Sequence, residues 1–215
     1  MYSVGLFGGT FDPVHFGHLR TALELKQKLL LDEVRLLPSH LPGHRVEPAG
    51  GAEQRLQMVE LAVVDEPELQ VDDREVQRQG ISYMADTLAA LRTELGEEIA
   101  LCLVLGMDSF LTLPAWSKWE KIPALAHIIV VARPGSELPS GGIMGRFLHA
   151  REATDPAELK DTPSGRVLVQ SLTPLDISAT AIRAMIARGE SPRYLLPDRV
   201  WDYIRQQRLY EFNND

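Results

Sequence analysis

Cysteine is almost absent. The single Cys102 lies inside the apolar run IALCLVLG, which excludes an internal disulfide and reads as a core thiol in a reducing compartment. No apolar run approaches the roughly 20 residues of a membrane span, and no leader with a small-residue cleavage site opens the chain, so a cytoplasmic protein with no membrane partner is expected. A basic surplus is missing too: 22 Lys and Arg stand against 30 Asp and Glu, a net charge of −8. That argues against nucleic acid as the main partner, because phosphate backbones are bound by an excess of cations. Repeats and low-complexity tracts are lacking, as are both standard phosphate fingerprints, G-x-x-x-x-G-K-[ST] and G-x-G-x-x-G. What remains is ordinary for a soluble globular chain: 215 residues, 45% apolar and 24% charged, enough to bury a full core as one domain.

Strand and helix patterns alternate along the chain. YSVGLF is a short buried strand ending at Gly8-Gly9, and residues 17–30 suit an amphipathic helix. EVRLLP, ELQVDD, HIIVVA and RVLVQS read as further strands, and EIALCLVLG is the strongest, with no polar alternation. Such a run is buried on both faces, as in the centre of a parallel sheet. Helices are predicted over 52–64 and 83–95, over DISATAIRAMIARG with Ser178 near its start and Gly189 past its end, and from Pro197 to about Gln207. The pattern predicts an α/β fold, a doubly wound parallel sheet with a small helical C-terminal part. Residues 134–166 hold RPGSELPSGG and DTPSG and read as a surface excursion with a short helix near 144–151.

The turn GGTFDPVHFGH, residues 8–18, leaves the first strand at the edge where such sheets bind ligands. Gly8 and Gly9 let backbone N–H groups approach an anion, and the following helix points its positive end at the same place. His15 and His18, three apart, share a helical face and can donate hydrogen bonds to phosphoryl oxygens without a permanent charge. The bland reading is a Gly-rich turn with two surface histidines. A metal site lacks a third ligand nearby. Near the C-terminus, DISATAIR offers Ser178 and Thr180 hydroxyls, first-turn amides and the Arg183 fork to a phosphate, against the plainer reading of a capped surface helix. VLGMDSF places Gly106 and Asp108 across the crevice from the first turn, where a carboxylate accepts from ribose hydroxyls or caps a helix.

GGTFDPVHFGH resembles the signature of the nucleotidyltransferase superfamily, whose T/H-x-G-H element is shared with class I aminoacyl-tRNA synthetases. ISATAIR is similar to the second phosphate motif of its small members. With GMDSFLTLPAW, SYMADTL and LPGHR, the chain resembles the bacterial nicotinate mononucleotide adenylyltransferases over residues 3–208. The resemblance implies a Rossmann-like nucleotidyltransferase fold and catalysis by His15, His18 and Arg183. It implies ATP contacts by Gly8, Gly9, Thr10, Phe11, Gly106, Asp108, Ile177, Ser178 and Thr180. For the mononucleotide it implies stacking by Trp116, phosphate binding by His44 and Arg45, and further contacts by Tyr83, Met84, Thr87 and Arg133. Family members often carry Thr where this chain has Met84, and a second proline where it has Gly43. Trp119 is expected to pack rather than bind.

The reaction expected is adenylyl transfer from ATP to nicotinate mononucleotide, with Mg²⁺ bound along with ATP. No covalent intermediate is needed and the attacking phosphate is already ionised, so positioning and charge stabilisation carry the catalysis. The alternatives are another small nucleotidyltransferase, acting on nicotinamide mononucleotide, phosphopantetheine or a cytidylyl donor, and a non-catalytic nucleotide sensor. Intact His15, His18 and Arg183 weigh against the sensor. The acid-versus-amide preference and the oligomeric state have no determinant in the residues.

Overall fold

A computed structural model describes residues 1–42, 48–78, 80–132 and 138–211. In chain order its elements are β1 (Ser3–Gly9), α1 (Phe16–Leu29), β2 (Glu33–Pro38), β3 (Leu41–Pro42), α2 (Ala52–Val63), β4 (Leu69–Val71), α3 (Arg74–Arg78) and β5 (Ile81–Ser82). They continue with α4 (Met84–Leu95), β6 (Ala100–Gly106), α5 (Met107–Leu111), α6 (Ile122–Leu125), β7 (His127–Ala132), α7 (Gly142–His149), β8 (Glu152–Ala153), β9 (Val167–Ser171), α8 (Ala179–Ala187) and α9 (Asp198–Gln206).

Seven strands form one sheet in the order β4-β2-β1-β6-β7-β9-β8, and every pair in it is parallel. From β1 the chain winds outward through β2 to β4, then returns to the other side of β1 with β6 and winds out through β7 and β9. The order therefore reverses between β1 and β6, and a crevice opens beyond their carboxyl ends, at Gly8-Gly9 and Gly106. This is the doubly wound α/β sheet expected from the alternating pattern.

Alternation sorts each strand's side chains between two cores. Val4 and Leu6 of β1, Leu101, Leu103 and Leu105 of β6, and Ile128 and Val130 of β7 pack with Ala85, Leu88 and Leu91 of α4 and with Phe110, Ile122 and Phe147. Val34 and Leu36 of β2, Cys102 and Val104 of β6, and Ile129 of β7 face the other way, toward α1, α2, α8 and α9. Cys102 is fully buried, and burial pushes its thiol up to about 12, which makes it the inert core group the sequence implied. Among the described residues no helix is long and apolar enough to cross a membrane.

Of the stretch 134–166, expected as a surface excursion with a short helix near 144–151, the described part, 138–166, holds that helix as α7 and is in part structural. Met144, Phe147 and Leu148 of α7 are buried, and β8 adds an edge strand beside β9, with Glu152 opposite Val167. A Pro- and Gly-rich composition signals irregular backbone but does not report which side chains turn inward.

His127 opens β7 fully buried and pins this stretch to the sheet. Its Nδ1 accepts from Arg166 N–H at 3.0 Å, so Nε2 carries the proton and donates to the Thr162 carbonyl at 2.7 Å. Burial holds its pKa below the ordinary 6.5, so folded protein binds fewer protons than unfolded chain below that pH. The resulting stability is fully present above pH 6.5 and is lost as the pH falls below it. His127→Asn keeps an acceptor for Arg166 but loses the bond to Thr162. Urea unfolding should show it about 1–2 kcal/mol less stable at neutral pH, with a shallower loss of stability on acidification.

Candidate active site

The crevice at the switch point is a cleft of about 770 Å³, within the usual range for ligand sites. Its wall brings together Gly8, Gly9, Thr10, Phe11, Asp12 and His18 from the first turn, Gly106 and Asp108 from the end of β6, Trp116, and Ala179, Thr180 and Arg183 from α8. Both ends of the chain thus meet in one cavity, and they touch: Arg183 Nη1 donates to the Asp12 carbonyl at 2.6 Å.

The two histidines divide their roles. Their rings stack with centroids 3.7 Å apart and 23° between planes, as the shared-face spacing implied. Only His18 lines the cleft; His15 lies behind it, 5% exposed. The expectation placed both imidazoles at the phosphates; here His18 lines the cleft and His15 is stacked against it and buried. Burial lowers the pKa of His15 to about 4, so it is neutral at physiological pH. The His15 backbone N–H donates to His18 Nδ1 at 3.3 Å, which leaves the neutral His18 ring its proton on Nε2. Phe11 fixes the opposite edge, with its ring 5.0 Å from that of His18 at 84°. Phe11 holds a left-handed backbone (φ 49°), and Gly9 must lack a side chain because a Cβ there would come within 2.8 Å of the Phe11 ring.

Behind this turn stands a buried guanidinium. Arg55 of α2 is 1% exposed and donates to the carbonyls of Gly50 (3.0 Å), Thr10 (2.7 Å), Ser39 (2.7 Å) and His40 (2.6 Å). One side chain therefore sews together the turns that follow β1 and β2 and the segment leading into α2. Asp12, also buried, accepts from the N–H groups of Ala49 and Gly50 and from the Tyr210 hydroxyl. Neither Arg55 nor Tyr210 was a candidate on sequence grounds. Arg55 did carry a signal: it shares a helical face with Met58, Val59 and Ala62, where a cation is out of place unless it is fully bonded.

The other candidates fall into three groups. Trp116, Tyr83, Met84, Gly106 and Asp108 line the cleft, and Trp119 packs on Phe147 with centroids 5.6 Å apart. Tyr83 is the N-cap residue of α4 and makes no side-chain cap bond, so the positive end of that helix opens beside Trp116. Asp108 is not the cap of α5, a role held by Gly106, and its carboxylate is exposed in the first turn. Thr87, Ser178 and Ile177 do not line the cleft. Thr87 is fully buried and its hydroxyl donates to Glu75 Oε1 at 2.6 Å while accepting from Arg78, so it has none to offer a mononucleotide. Ser178 Oγ caps α8 by accepting from Ala181 N–H at 3.2 Å, and Ile177 packs against the core. His44, Arg45 and Arg133 lie outside the described residues. Glu75, which lines the cleft floor and is pushed toward its neutral form by burial, was not foreseen. No group of three or more His, Cys, Asp or Glu suited to a metal ion occurs among the described residues.

A parallel sheet that offers a glycine turn, an imidazole and a guanidinium to one crevice is built as a nucleotidyltransferase, and comparison of whole chains gives the same class: the family described as cytidylyltransferase-like matches residues 6–185. Within that class the chain belongs to the nicotinate-nucleotide adenylyltransferases, an enzyme family. It is 50% identical over 208 residues to a probable nicotinate-nucleotide adenylyltransferase of Cellvibrio japonicus, covering 97% of this chain and 98% of that one. With the protein of the same description from Halorhodospira halophila it shares 49% over 210 residues, covering 98% and 96%. Among solved structures, the Plasmodium falciparum nicotinic acid mononucleotide adenylyltransferase complexed with NaAD superposes over 100% of both chains with a TM-score of 0.74, a likeness of fold at 17% identity.

Replacing Arg55 by Leu strands four carbonyls at the cleft wall. Urea unfolding should show a loss of about 3–5 kcal/mol, and Arg55→Lys should recover only part of it, because one ammonium cannot reach four divergent acceptors.

Proposed function

We propose that this enzyme transfers the adenylyl group of MgATP to nicotinate mononucleotide, giving nicotinate adenine dinucleotide and pyrophosphate, a step of NAD synthesis. The observation that carries the reading is the single cleft in which the glycine turn, His18 and Arg183 converge. A phosphate oxygen of the mononucleotide forms the new bond to the α-phosphorus, and the bond from that phosphorus to the oxygen bridging the β-phosphorus breaks. The electron pair leaves on pyrophosphate.

Each part of the cleft then has a task. Backbone N–H groups from Gly8 to Phe11 and the His18 Nε2–H stabilise charge that builds on the transferring phosphoryl group. Arg183, together with Thr180 and the start of α8, holds the β- and γ-phosphates. Ser178 and Ile177 serve that end of the site through the backbone. Asp108 accepts from ribose hydroxyls beside Gly106. Trp116 stacks on the pyridinium ring, and the amides opening α4 at Tyr83 and Met84 receive its carboxylate, favoured by the helix dipole. His44, Arg45 and Arg133 hold the mononucleotide phosphate, a role resting on the family resemblance. The magnesium ion comes with ATP as part of the substrate.

A substrate panel scored by pyrophosphate release tests this reading. ATP with nicotinate mononucleotide should turn over fastest, ahead of its amide, phosphopantetheine and any pairing with CTP; a faster alternative would displace the assignment. His18→Ala should lower kcat by roughly 10²–10³ with a far smaller change in KM for the mononucleotide. An unchanged kcat would remove His18 from the chemistry.

A further inference from the structure

We propose that Tyr210 is a positioning residue for Arg183: its hydroxyl holds the Asp12 carboxylate in an orientation that keeps the Arg183 guanidinium available to the phosphates of the cleft. The proposal rests on the reading of that cleft as a triphosphate site.

Four groups from three parts of the chain converge on Asp12. Ala49 N–H reaches Oδ2 at 2.9 Å, Gly50 N–H reaches Oδ1 at 3.0 Å, and the Tyr210 hydroxyl reaches Oδ1 at 2.7 Å. Arg183 Nη1 bonds the Asp12 main-chain carbonyl at 2.6 Å but stands 3.6 Å from the carboxylate. A relaxed guanidinium–carboxylate bond is about 2.7–2.9 Å long, so the carboxylate is held short of capturing its neighbour. Both oxygens are already engaged, and a Cβ at Gly50 would come within 3.0 Å of Oδ1 and 3.1 Å of the Tyr210 hydroxyl, so the carboxylate is boxed in. Arg55 does not compete for it, since its donors go to four carbonyls.

The chain adopts a disfavoured backbone to make this contact: Arg208 (φ 50°) and Tyr210 (φ 65°) are both left-handed, a conformation that costs free energy for a residue with a side chain. Burial and the adjacent Asp12 charge raise the Tyr210 pKa, so its hydroxyl stays a donor. Without that hydroxyl Oδ1 keeps only the Gly50 N–H, the carboxylate is freer to turn, and Oδ2, the oxygen nearer Arg183, closes on the guanidinium and draws it from the ligand into an ion pair.

The test is a double-mutant cycle read by calorimetric ATP binding and by steady-state kinetics. Tyr210→Phe should weaken ATP binding and lower kcat roughly five- to tenfold, the scale of one hydrogen bond, with KM for the mononucleotide within about twofold. In an Arg183→Ala background the same change should have almost no effect on ATP binding. A merely structural tie would lower stability, measured in parallel by thermal unfolding, and would act equally in both backgrounds. Asp12→Asn, which keeps the shape but weakens attraction for Arg183, should make ATP binding insensitive to Tyr210→Phe; a Tyr210 effect that persists in Asp12→Asn overturns the route through Asp12. Equal effects with and without Arg183, or none in either, overturn the proposal while wild-type ATP binding stands. Failure of the wild type to bind ATP overturns the reading of the cleft itself.

Discussion

The site depends on one buried cation. Arg55 sits where an apolar side chain would serve α2, and its guanidinium survives burial only because four carbonyls from three segments turn toward it. Those segments are the turns after β1 and β2 and the approach to α2, none of which has the regular hydrogen bonding of a helix or strand to define it. A buried cation with neutral acceptors is poorly solvated, and desolvation lowers the Arg55 pKa even though Asp12 and Tyr210 oppose it. Its position therefore selects for a counterion nearby. Asp12 supplies that within the protein, and in doing so becomes the point to which the C-terminal Tyr210 and Arg183 are attached. The glycine turn, the second strand's exit and the chain's last described helix region are held in register by this arrangement rather than by the sheet.

The sheet decides where the arrangement is useful. With β1 between β2 and β6, helices after β1 and β6 diverge to opposite faces and leave the crevice uncovered. The first turns of α1, α4 and α8 lie close to the end of β1, since His18, Tyr83 and Thr180 all line the cleft. Fold and site are thus coupled through geometry: a ligand seated at the end of β1 also meets the positive ends of helices.

Much of this was legible in the sequence, and the reasons differ by element. β6 announced itself because ALCLVLG has no polar residue, which only a strand covered on both faces tolerates. The stacking of His15 and His18 followed from their spacing, but which ring meets the cleft is set by Phe11 in its left-handed conformation, a tertiary outcome. Ser178 was ambiguous for a physical reason: a hydroxyl at a helix start binds an anion or caps the helix with the same atom, and only its partners decide. Within 134–166 the short helix near 144–151 was legible and stands as α7, but that its Met144, Phe147 and Leu148 turn into the core was not, because the prolines and glycines around it pointed to the surface. The bond between Asp12 and Tyr210 spans 198 positions and follows no periodicity, so nothing local announces it.

Charge gives the final connection between fold and chemistry. The chain as a whole carries −8, which would repel a nucleotide, yet Arg183 lines the cleft with His18, and Arg55 stands buried behind the turn that carries Asp12. Glu75 on the floor is shifted toward neutrality by burial, so it subtracts little from that field. A polyanion entering the crevice meets Arg183, the His18 ring and the first turns of α1, α4 and α8 in a partly enclosed pocket, where Coulomb interactions are stronger than in water. His18 adds directed donors without adding a fixed charge, and the neutral His15 behind it supports the ring without repelling it. Phosphoryl transfer between two anions needs such an environment more than it needs a nucleophile or a base: the reactants repel each other, and what the protein contributes is a place where their negative charges are already balanced before the bond to phosphorus changes hands.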